Sequence, residues 1–378
     1  LKSPCSTKKM AEKTMIIGVP RETVAGETRV ASTPDIVAKL VAKGFDVVVE
    51  QGAGTAASFT DQAFETAGAT IADSAAALAA DIVVKVRKPT LSEIDAMREG
   101  GVLIGFIEVC EDDGTIAALL KRGVVAIALE RVPRISRAQS MDALSSQSNI
   151  AGYRAVIEAA AHYGRFLPLM MTSAGSAKPA RVLVLGAGVA GLQAIATARR
   201  LGADVYAYDI RPETAEQIES LGAKAIVLDI GESGAGEGGY ARELSDEAKA
   251  RQQQLMADEL AKAHVIISTA MIPCRPAPTL IPAEVVTRMR EGSVIVDLAA
   301  ASGGNCPLTE KDQVVTREGV ILIGHTNYPA MLASDASSFY ARNILNLIDI
   351  MVEKTDDGLL LKDLNEDEIT KAARVDVQ

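Results

Sequence analysis

The stretch that decides the fold reads RVLVLGAGVAGLQAIATARRLGADVYAYD and runs from Arg181 to Asp209. Its apolar start, Arg181–Leu185, predicts a buried strand, and the alanine-rich run Leu192–Leu201 predicts a helix. The segment Asp204–Tyr208 predicts a second strand after that helix. A strand, a glycine-rich turn, a helix and a second strand in this order are typical of a parallel βαβ unit.

The turn inside this unit has the G-x-G-x-x-G spacing of dinucleotide-binding folds. Gly186 suits the tight turn, Gly188 lets the backbone reach a pyrophosphate, and Gly191 allows the helix to pack closely. The free N–H groups of the helix start, from Val189 onward, would then face the phosphates. An ordinary glycine-containing turn is the alternative, and the flanking strands and helix argue against it.

The second strand ends at an acidic residue, about 20 residues after the last glycine, as the dinucleotide-binding pattern requires. Asp209 would accept hydrogen bonds from the adenosine ribose hydroxyls and repel a 2′-phosphate, which favours NAD(H) over NADP(H). Ile210 and Arg211 follow directly and belong to the same predicted cofactor site. The positive charge of Arg211 weakens the preference slightly.

Strand-like and helix-like segments alternate on both sides of this unit, which predicts an α/β protein. We expect two doubly wound parallel-sheet (Rossmann-like) domains, the first discontinuous, joined by long helices. The predicted boundaries are 1–144 plus 328–378 for the first domain and 145–327 for the NAD(H)-binding domain. Ser145–Leu169 is predicted as a connecting helix, Ser334–Val352 as a helix that packs on the first domain, and Asp356–Gln378 as a frayed terminal element or the start of a linker.

Composition excludes several classes of protein. The net charge of −10 over 378 residues argues against nucleic-acid binding, which needs clustered Lys and Arg. No apolar run reaches the length of about 18–20 residues that a membrane helix requires. The four cysteines show neither CxxC pairing nor metal-ligand spacing, so we expect no metal centre. The first nine residues lack the apolar core of a signal peptide.

A polar segment, Arg134–Asn149, lies where the first predicted domain gives way to the second. It contains two Arg, two Gln, one Asp, one Asn and five Ser among sixteen residues. Asp142, Ser145 and Gln139 together could supply the donor and acceptor that a carboxamide needs. The alternative is a surface loop in which Asp142 or a nearby serine caps the following helix. His325, at the end of a predicted strand, is a further site candidate, and no histidine lies in a recognisable catalytic arrangement.

Together these motifs resemble the NAD(H)-binding component of the proton-translocating NAD(P) transhydrogenase alpha subunit. The resemblance rests on RISRAQSMD at 134–142 with Tyr153-Arg154 following, on the GAGVAG turn, on LAAASGGNC at 298–306, and on Gly324-His325-Thr326. It covers nearly everything from Met15 to about Met351. Alanine dehydrogenases share the fold and much of the N-terminal pattern, including 27–30 and 84–86.

The resemblance implies direct hydride transfer between NADH and an NADP⁺ held by a partner component. Arg134, Gln139 and Asp142 would be catalytic and, with Ser145, would hold the nicotinamide of NAD(H). Tyr240 matches a tyrosine of the family's mobile loop, and three further residues, Gly239, Gln252 and Met271, match nucleotide-contact positions. The family's NAD(H) component is a homodimer that docks on an NADP(H)-binding component and a membrane proton-channel component. This chain would therefore be cytoplasmic and peripheral on the membrane.

Two alternatives remain open. Alanine dehydrogenases carry a His where this chain has Glu108, and an Asp where it has Ala301. Oxidation of an amino acid needs a general base beside the reacting carbon, so these replacements argue against amino-acid dehydrogenase activity. An NAD-binding regulatory module without turnover is the third hypothesis.

Overall fold

The computed structural model describes residues 14–111, 113–228, 246–272 and 274–375. Over these residues the chain divides into two compact units. One extends to Gln147 and resumes at Ala330, and the other lies between Ser148 and Pro329. Both units are built from parallel strands and helices, as the alternating pattern predicts.

The strands are, in chain order, β1 (Met15–Val19), β2 (Phe45–Glu50), β3 (Thr70–Ala72), β4 (Ile82–Val84), β5 (Val102–Gly105), β6 (Val125–Ala128), β7 (Met170–Thr172), β8 (Gly175–Ala177), β9 (Arg181–Leu185), β10 (Asp204–Tyr208), β11 (Lys224–Ala225), β12 (Val265–Ser268), β13 (Val294–Asp297), β14 (Val314–Arg317), β15 (Val320–Ile323), β16 (Val352–Thr355), β17 (Gly358–Leu361) and β18 (Arg374–Val375). The helices are α1 (Pro34–Lys43), α2 (Asp61–Thr66), α3 (Ser74–Leu78), α4 (Leu91–Ala96), α5 (Thr115–Arg122), α6 (Ala143–His162), α7 (Val189–Arg200), α8 (Thr214–Ser220), α9 (Asp246–Ala261), α10 (Ala283–Val286), α11 (Ala333–Met351) and α12 (Glu368–Ala373).

The first unit has a seven-stranded sheet in the order β18-β6-β5-β4-β1-β2-β3. Its strands pair in parallel except for β18, which is antiparallel to β6. Long α11 packs on this unit, as predicted, because Tyr340, Ile344, Leu347 and Met351 recur at helical spacing and are all buried.

The prediction of a frayed tail after Asp356 is wrong. The tail forms β17, α12 and β18, and β18 completes the edge of the first sheet. Ile369, Ala373 and Val375 are buried, and the Asp367 carboxylate caps α12 by accepting a hydrogen bond from the Ile369 amide. The charged composition of the segment concealed these few apolar anchors.

The second unit has a seven-stranded sheet in the order β11-β10-β9-β12-β13-β15-β14. Its strands run parallel except for β14, an exposed edge strand that pairs antiparallel with β15. The strand order reverses between β9 and β12, and doubly wound sheets bind ligands at that point, outside the carboxyl ends of the strands.

The predicted connecting helix is shorter than expected. Helix α6 ends at His162, and the chain then leads to the hairpin of β7 and β8. Gly164 and Pro168 disfavour helix beyond that point. Among the described residues, no helix combines the length and apolarity needed to span a bilayer.

Candidate functional site

The predicted glycine turn follows β9 in the second unit and has little free space. Gly186 has a φ of +94°, and a Cβ there would lie 2.6 Å from the Thr269 hydroxyl oxygen. A Cβ on Gly191 would lie 1.8 Å from the Gly186 carbonyl oxygen, so a side chain cannot fit without moving the backbone. A Cβ on Gly188, in contrast, would meet nothing within 4 Å. The turn is therefore closed against the sheet and open to solvent at Gly188, where a pyrophosphate would have to approach.

Thr269 holds the turn from the adjacent strand, a contact that sequence reasoning missed. Its hydroxyl donates to the carbonyl oxygens of Leu185 at 3.1 Å and Gly186 at 3.3 Å, and its amide donates to Leu185 at 2.9 Å. The sequence shows only a threonine directly after an apolar strand. That pattern is too common to predict a contact with the glycine turn.

Asp209 lies at the carboxyl end of β10, next to this turn. Its Oδ2 accepts a hydrogen bond of 2.7 Å from the Ala187 amide inside the glycine turn. Arg211 donates to the same carboxylate from its own amide and from its guanidinium. Burial raises the pKa of Asp209, but the Arg211 guanidinium and these amide hydrogen bonds outweigh it, so the pKa lies below its ordinary value. Asp209 is thus a carboxylate at neutral pH, held against the predicted phosphate loop.

The carboxyl edge of the second sheet is unusually apolar for an exposed surface. Residues that follow four different strands are exposed there: Val189 (42%), Ile210 (84%), Val227 (85%), Met271 (53%) and Ile272 (45%). Because these strands are parallel, the side chains emerge at one edge. Apolar groups gathered at an edge of this kind suit the faces of flat aromatic rings.

Of the three remaining predicted cofactor residues, the structure describes one. Gln252, on α9, donates a hydrogen bond of 3.1 Å to the hydroxyl of Tyr208, the last residue of β10 before Asp209. Gly239 and Tyr240 lie outside the described residues.

A buried polar network lies at the carboxyl end of β13 in the second sheet. The sequence did not predict this network. Asp297 and Asn305 are both fully buried. Asp297 accepts from the amides of Ala299, Asn305 and Cys306 and from the hydroxyl of Thr309. Burial nevertheless raises the pKa of Asp297 above its ordinary value. Asn305 belongs to the LAAASGGNC segment, for which the family resemblance is the only signal in the sequence.

The polar segment 134–149 belongs mostly to the first unit. Asp142 precedes α6 and accepts hydrogen bonds from the Ser145 amide at 2.8 Å and the Ser145 hydroxyl at 2.5 Å. Asp142 therefore caps the helix, which is the alternative that the sequence left open. Arg134 and Gln139 are exposed on the preceding turn. Arg137, between them, is held by Asp367 at 2.7 Å.

Cations near the carboxyl edge of the first sheet are neutralised within that unit. The buried ammonium of Lys85 lies 2.9 Å from Glu93 and 3.6 Å from Glu22. Arg87 pairs with Glu108 at 2.8 Å, and Lys88 pairs with Asp113 at 3.0 Å. Burial raises the pKa of Glu22, an effect that Lys85 opposes.

His325 lies just beyond β15, where the sequence predicted a possible site. Its Nε2 is 4.0 Å from the Glu158 carboxylate, and its ring contacts that of Tyr328 with centroids 5.7 Å apart. His264, in contrast, is a packing residue: its Nδ1 accepts the Arg181 amide at 2.8 Å, and burial lowers its pKa. Among the described residues, no group of His, Cys, Asp and Glu is placed to hold a metal ion.

Comparison with known protein families agrees with this architecture. The N-terminal domain of the family described as "Alanine dehydrogenase/PNT" matches residues 18–151, and its C-terminal domain matches residues 155–375. The chain belongs to the alanine dehydrogenase/PNT family.

Both branches of the family are represented among its relatives. The chain is 47% identical to NAD(P) transhydrogenase subunit alpha of Cereibacter sphaeroides, over 96% of this chain and 70% of that protein. It is 32% identical to the alanine dehydrogenase of Bacillus subtilis, over 83% of this chain and 80% of that protein. The solved transhydrogenase structure from Sinorhizobium meliloti matches with a TM-score of 0.81 and 44% identity, covering 89% of this chain and 94% of that one.

Proposed function

We propose that this chain is the NAD(H)-binding component of a proton-translocating NAD(P)⁺ transhydrogenase. The observation that carries the proposal is the contact between Asp209 and Ala187, which places a largely buried carboxylate against a glycine turn that is open at Gly188. In that arrangement Asp209 would bind the adenosine ribose, and the first turn of α7 would bind the pyrophosphate. The apolar residues Ile210, Val227 and Met271 would contact the rings.

The nicotinamide would be held by the residues of the polar segment. Arg134, Gln139, Asp142 and Ser145 supply hydrogen-bond donors and acceptors without a group that must exchange a proton. Bound NADH would supply the hydride, and an NADP⁺ on a partner component would accept it. Direct transfer between two nicotinamide rings needs alignment and no general base, so these side chains would act by positioning.

An amino-acid dehydrogenase is less well supported by the first unit. An amino-acid substrate needs a cation for its carboxylate and a base for its ammonium group. Lys85, Arg87 and Lys88 are already paired with carboxylates of their own unit. Glu108, at the position of the dehydrogenase histidine, is engaged by Arg87, and Ala301 cannot titrate.

The partners follow from the same proposal. The chain would form a homodimer and dock on an NADP(H)-binding component and a membrane proton-channel component, so it would be peripheral to the membrane on the cytoplasmic side. An exposed apolar surface on and beside the β7–β8 hairpin favours protein contact, since Phe166 and Leu169 are each 57% exposed and Met171 is 76% exposed.

One assay separates the two enzymatic hypotheses. NADH oxidation is followed in two mixtures, one with a transhydrogenase NADP(H)-binding component and an NADP⁺ analogue, the other with pyruvate and ammonia. We expect turnover only in the first mixture, and turnover only in the second would contradict the proposal. Inertness in both, with NADH still bound, would favour a regulatory module. An Asp209→Ala variant serves as the control, because it should lose NADH affinity while remaining folded.

A further inference from the structure

The carboxylate of Asp209 has no acceptor capacity left for a ligand. Oδ1 accepts from the amide of Arg211 at 2.9 Å and from its Nε at 3.0 Å. Oδ2 accepts from the amide of Ala187 at 2.7 Å and from Arg211 Nη2 at 3.0 Å. A carboxylate offers about four lone-pair sites, and all four are used. Two ribose hydroxyls can bind Asp209 only if two of these donors leave.

Only one pair of donors is free to leave. The amides of Ala187 and Arg211 are backbone groups fixed by the turn and by the end of β10. The guanidinium of Arg211 is a side-chain group that is 53% exposed, whereas the Asp209 side chain it holds is 7% exposed. An ion pair with one partner in solvent is weak and easily exchanged for other hydrogen bonds. The guanidinium is therefore the group that ribose hydroxyls would replace.

The released guanidinium would remain beside the ribose 2′ position, because Arg211 is only two residues from Asp209. A guanidinium binds a phosphate by two parallel hydrogen bonds, and an arginine near this position accommodates the 2′-phosphate in NADP-binding folds. The carboxylate and the guanidinium thus have opposite preferences for the group at the ribose 2′ carbon.

We propose that Arg211 is a specificity-determining residue, a latent 2′-phosphate ligand that Asp209 holds and screens. Loss of the Asp209 charge alone would then both remove the repulsion of a 2′-phosphate and free the cation that binds it. The inference rests on the proposed NAD(H) site and deepens it.

The test compares the adenosine halves of the two nucleotides directly. Binding of ADP and of 2′,5′-ADP, and of NADH and NADPH, is measured by calorimetry on the full chain and on three variants: Asp209→Asn, Arg211→Ala, and the double variant. Asparagine keeps a side-chain oxygen for the Ala187 amide, so the turn retains its support. Thermal unfolding of each variant checks that it is folded.

We expect the wild type to prefer NADH. Asp209→Asn should raise the ratio of NADPH to NADH affinity at least about tenfold, with a steep loss of NADPH binding at high salt because a charge pair is screened. The double variant should lose most of that gain. Equal ratios in Asp209→Asn and the double variant would overturn the role of Arg211. Failure of the wild type to bind NADH at all would instead overturn the proposed function, so the two failures are distinct.

Discussion

The side-chain amide of Asn305 donates a hydrogen bond of 2.9 Å to the carbonyl oxygen of Ala270, the residue before the exposed Met271. The same amide donates to Pro278 at 2.8 Å, and the Asn305 Oδ1 accepts from the Ser268 hydroxyl at 2.6 Å. One buried side chain thus ties the segment that follows β12 to the sheet. Met271 is one of the residues proposed to contact the nucleotide, so we expect Asn305 to act as a positioning residue for that proposed site.

Asn305→Ala should destabilise the chain and weaken NADH binding together. The substitution leaves two carbonyl groups and a hydroxyl without their buried partner, which costs about 3 kcal/mol of unfolding free energy. Denaturant unfolding and NADH titration measure both effects. Asn365→Ala is the matched control, because Asn365 is exposed and that change should cost less than about 0.5 kcal/mol. Normal NADH affinity in a destabilised Asn305→Ala would contradict the positioning role.

Three glycine-to-alanine variants separate folding from nucleotide binding. Gly191→Ala should destabilise the chain by about 2 kcal/mol or more, because its Cβ meets the Gly186 carbonyl. Gly188→Ala should fold normally and still lose most NADH affinity, since its Cβ has free space in the protein but would obstruct a pyrophosphate. Gly164→Ala is the control, because a Cβ at Gly164 also meets nothing within 4 Å. This variant should change neither the stability nor the NADH affinity. If Gly188→Ala binds NADH as the wild type does, the pyrophosphate lies elsewhere.

Burial decides how much two ion pairs of equal length contribute to stability. Lys85–Glu93 and Lys43–Asp349 both have N–O distances of 2.9 Å, but the Lys85 side chain is 1% exposed and that of Lys43 is 44% exposed. Lys85→Ala leaves buried Glu93 and Glu22 without a cation and should cost about 3–5 kcal/mol. Lys43→Ala should cost at most about 1 kcal/mol. Similar losses in urea unfolding for the two variants would show that the Lys85 cluster is solvated.

The stability contribution of Asp209 should depend on pH in a definite direction. Its pKa in the folded chain lies below the ordinary value of 3.8. The folded state therefore favours the charged form, so the contribution is present above that value and is lost as the pH falls through the lower, folded pKa. The unfolding free energy of the wild type minus that of Asp209→Asn should be constant above about pH 5 and shrink below about pH 4. A difference that grows on acidification would refute this assignment.

Gln139→Asn should slow hydride transfer far more than it weakens NADH binding. Gln139 is exposed on the turn before α6, and the shorter amide would misplace the ring without removing the hydrogen-bonding group. Rapid-reaction kinetics with the NADP(H)-binding component give the transfer rate, and NADH titration gives the affinity. Equal losses in both would make Gln139 a binding residue only.

The elements that sequence analysis predicted well are those with strong periodicity. Arg181–Leu185 and Asp204–Tyr208 are strands with the predicted bounds. The first is an apolar run that ends at a glycine turn, and the second alternates buried with half-buried residues after Gly202, so few alternatives are left for either. Edge strand β14 escaped prediction because it is mostly exposed and needs no apolar alternation. Edge strand β18 escaped prediction because it is only two residues long. The hairpin of β7 and β8 is likewise exposed and short.

The candidate site was predictable where chemistry follows from spacing and not where it depends on tertiary contact. Gly186, Gly191 and Asp209 were predicted from a motif whose geometry is local. Thr269 and Asn305 hold that motif from other strands, and nothing in their own neighbourhood of the sequence indicates which carbonyl they will bind. The arginine that fills the Asp209 acceptor sites was seen in the sequence only as a nearby charge.

The most direct test of the central claim is the fate of the transferred hydrogen. The chain is mixed with NADH deuterated at the transferable C4 position, the NADP(H)-binding component and an oxidised NADP⁺ analogue, and the reduced analogue is isolated for mass spectrometry. The account predicts that the reduced analogue carries the deuterium in full, with none exchanged into water. Reduction with loss of the label to solvent, or no reduction although both nucleotides are bound, would contradict it.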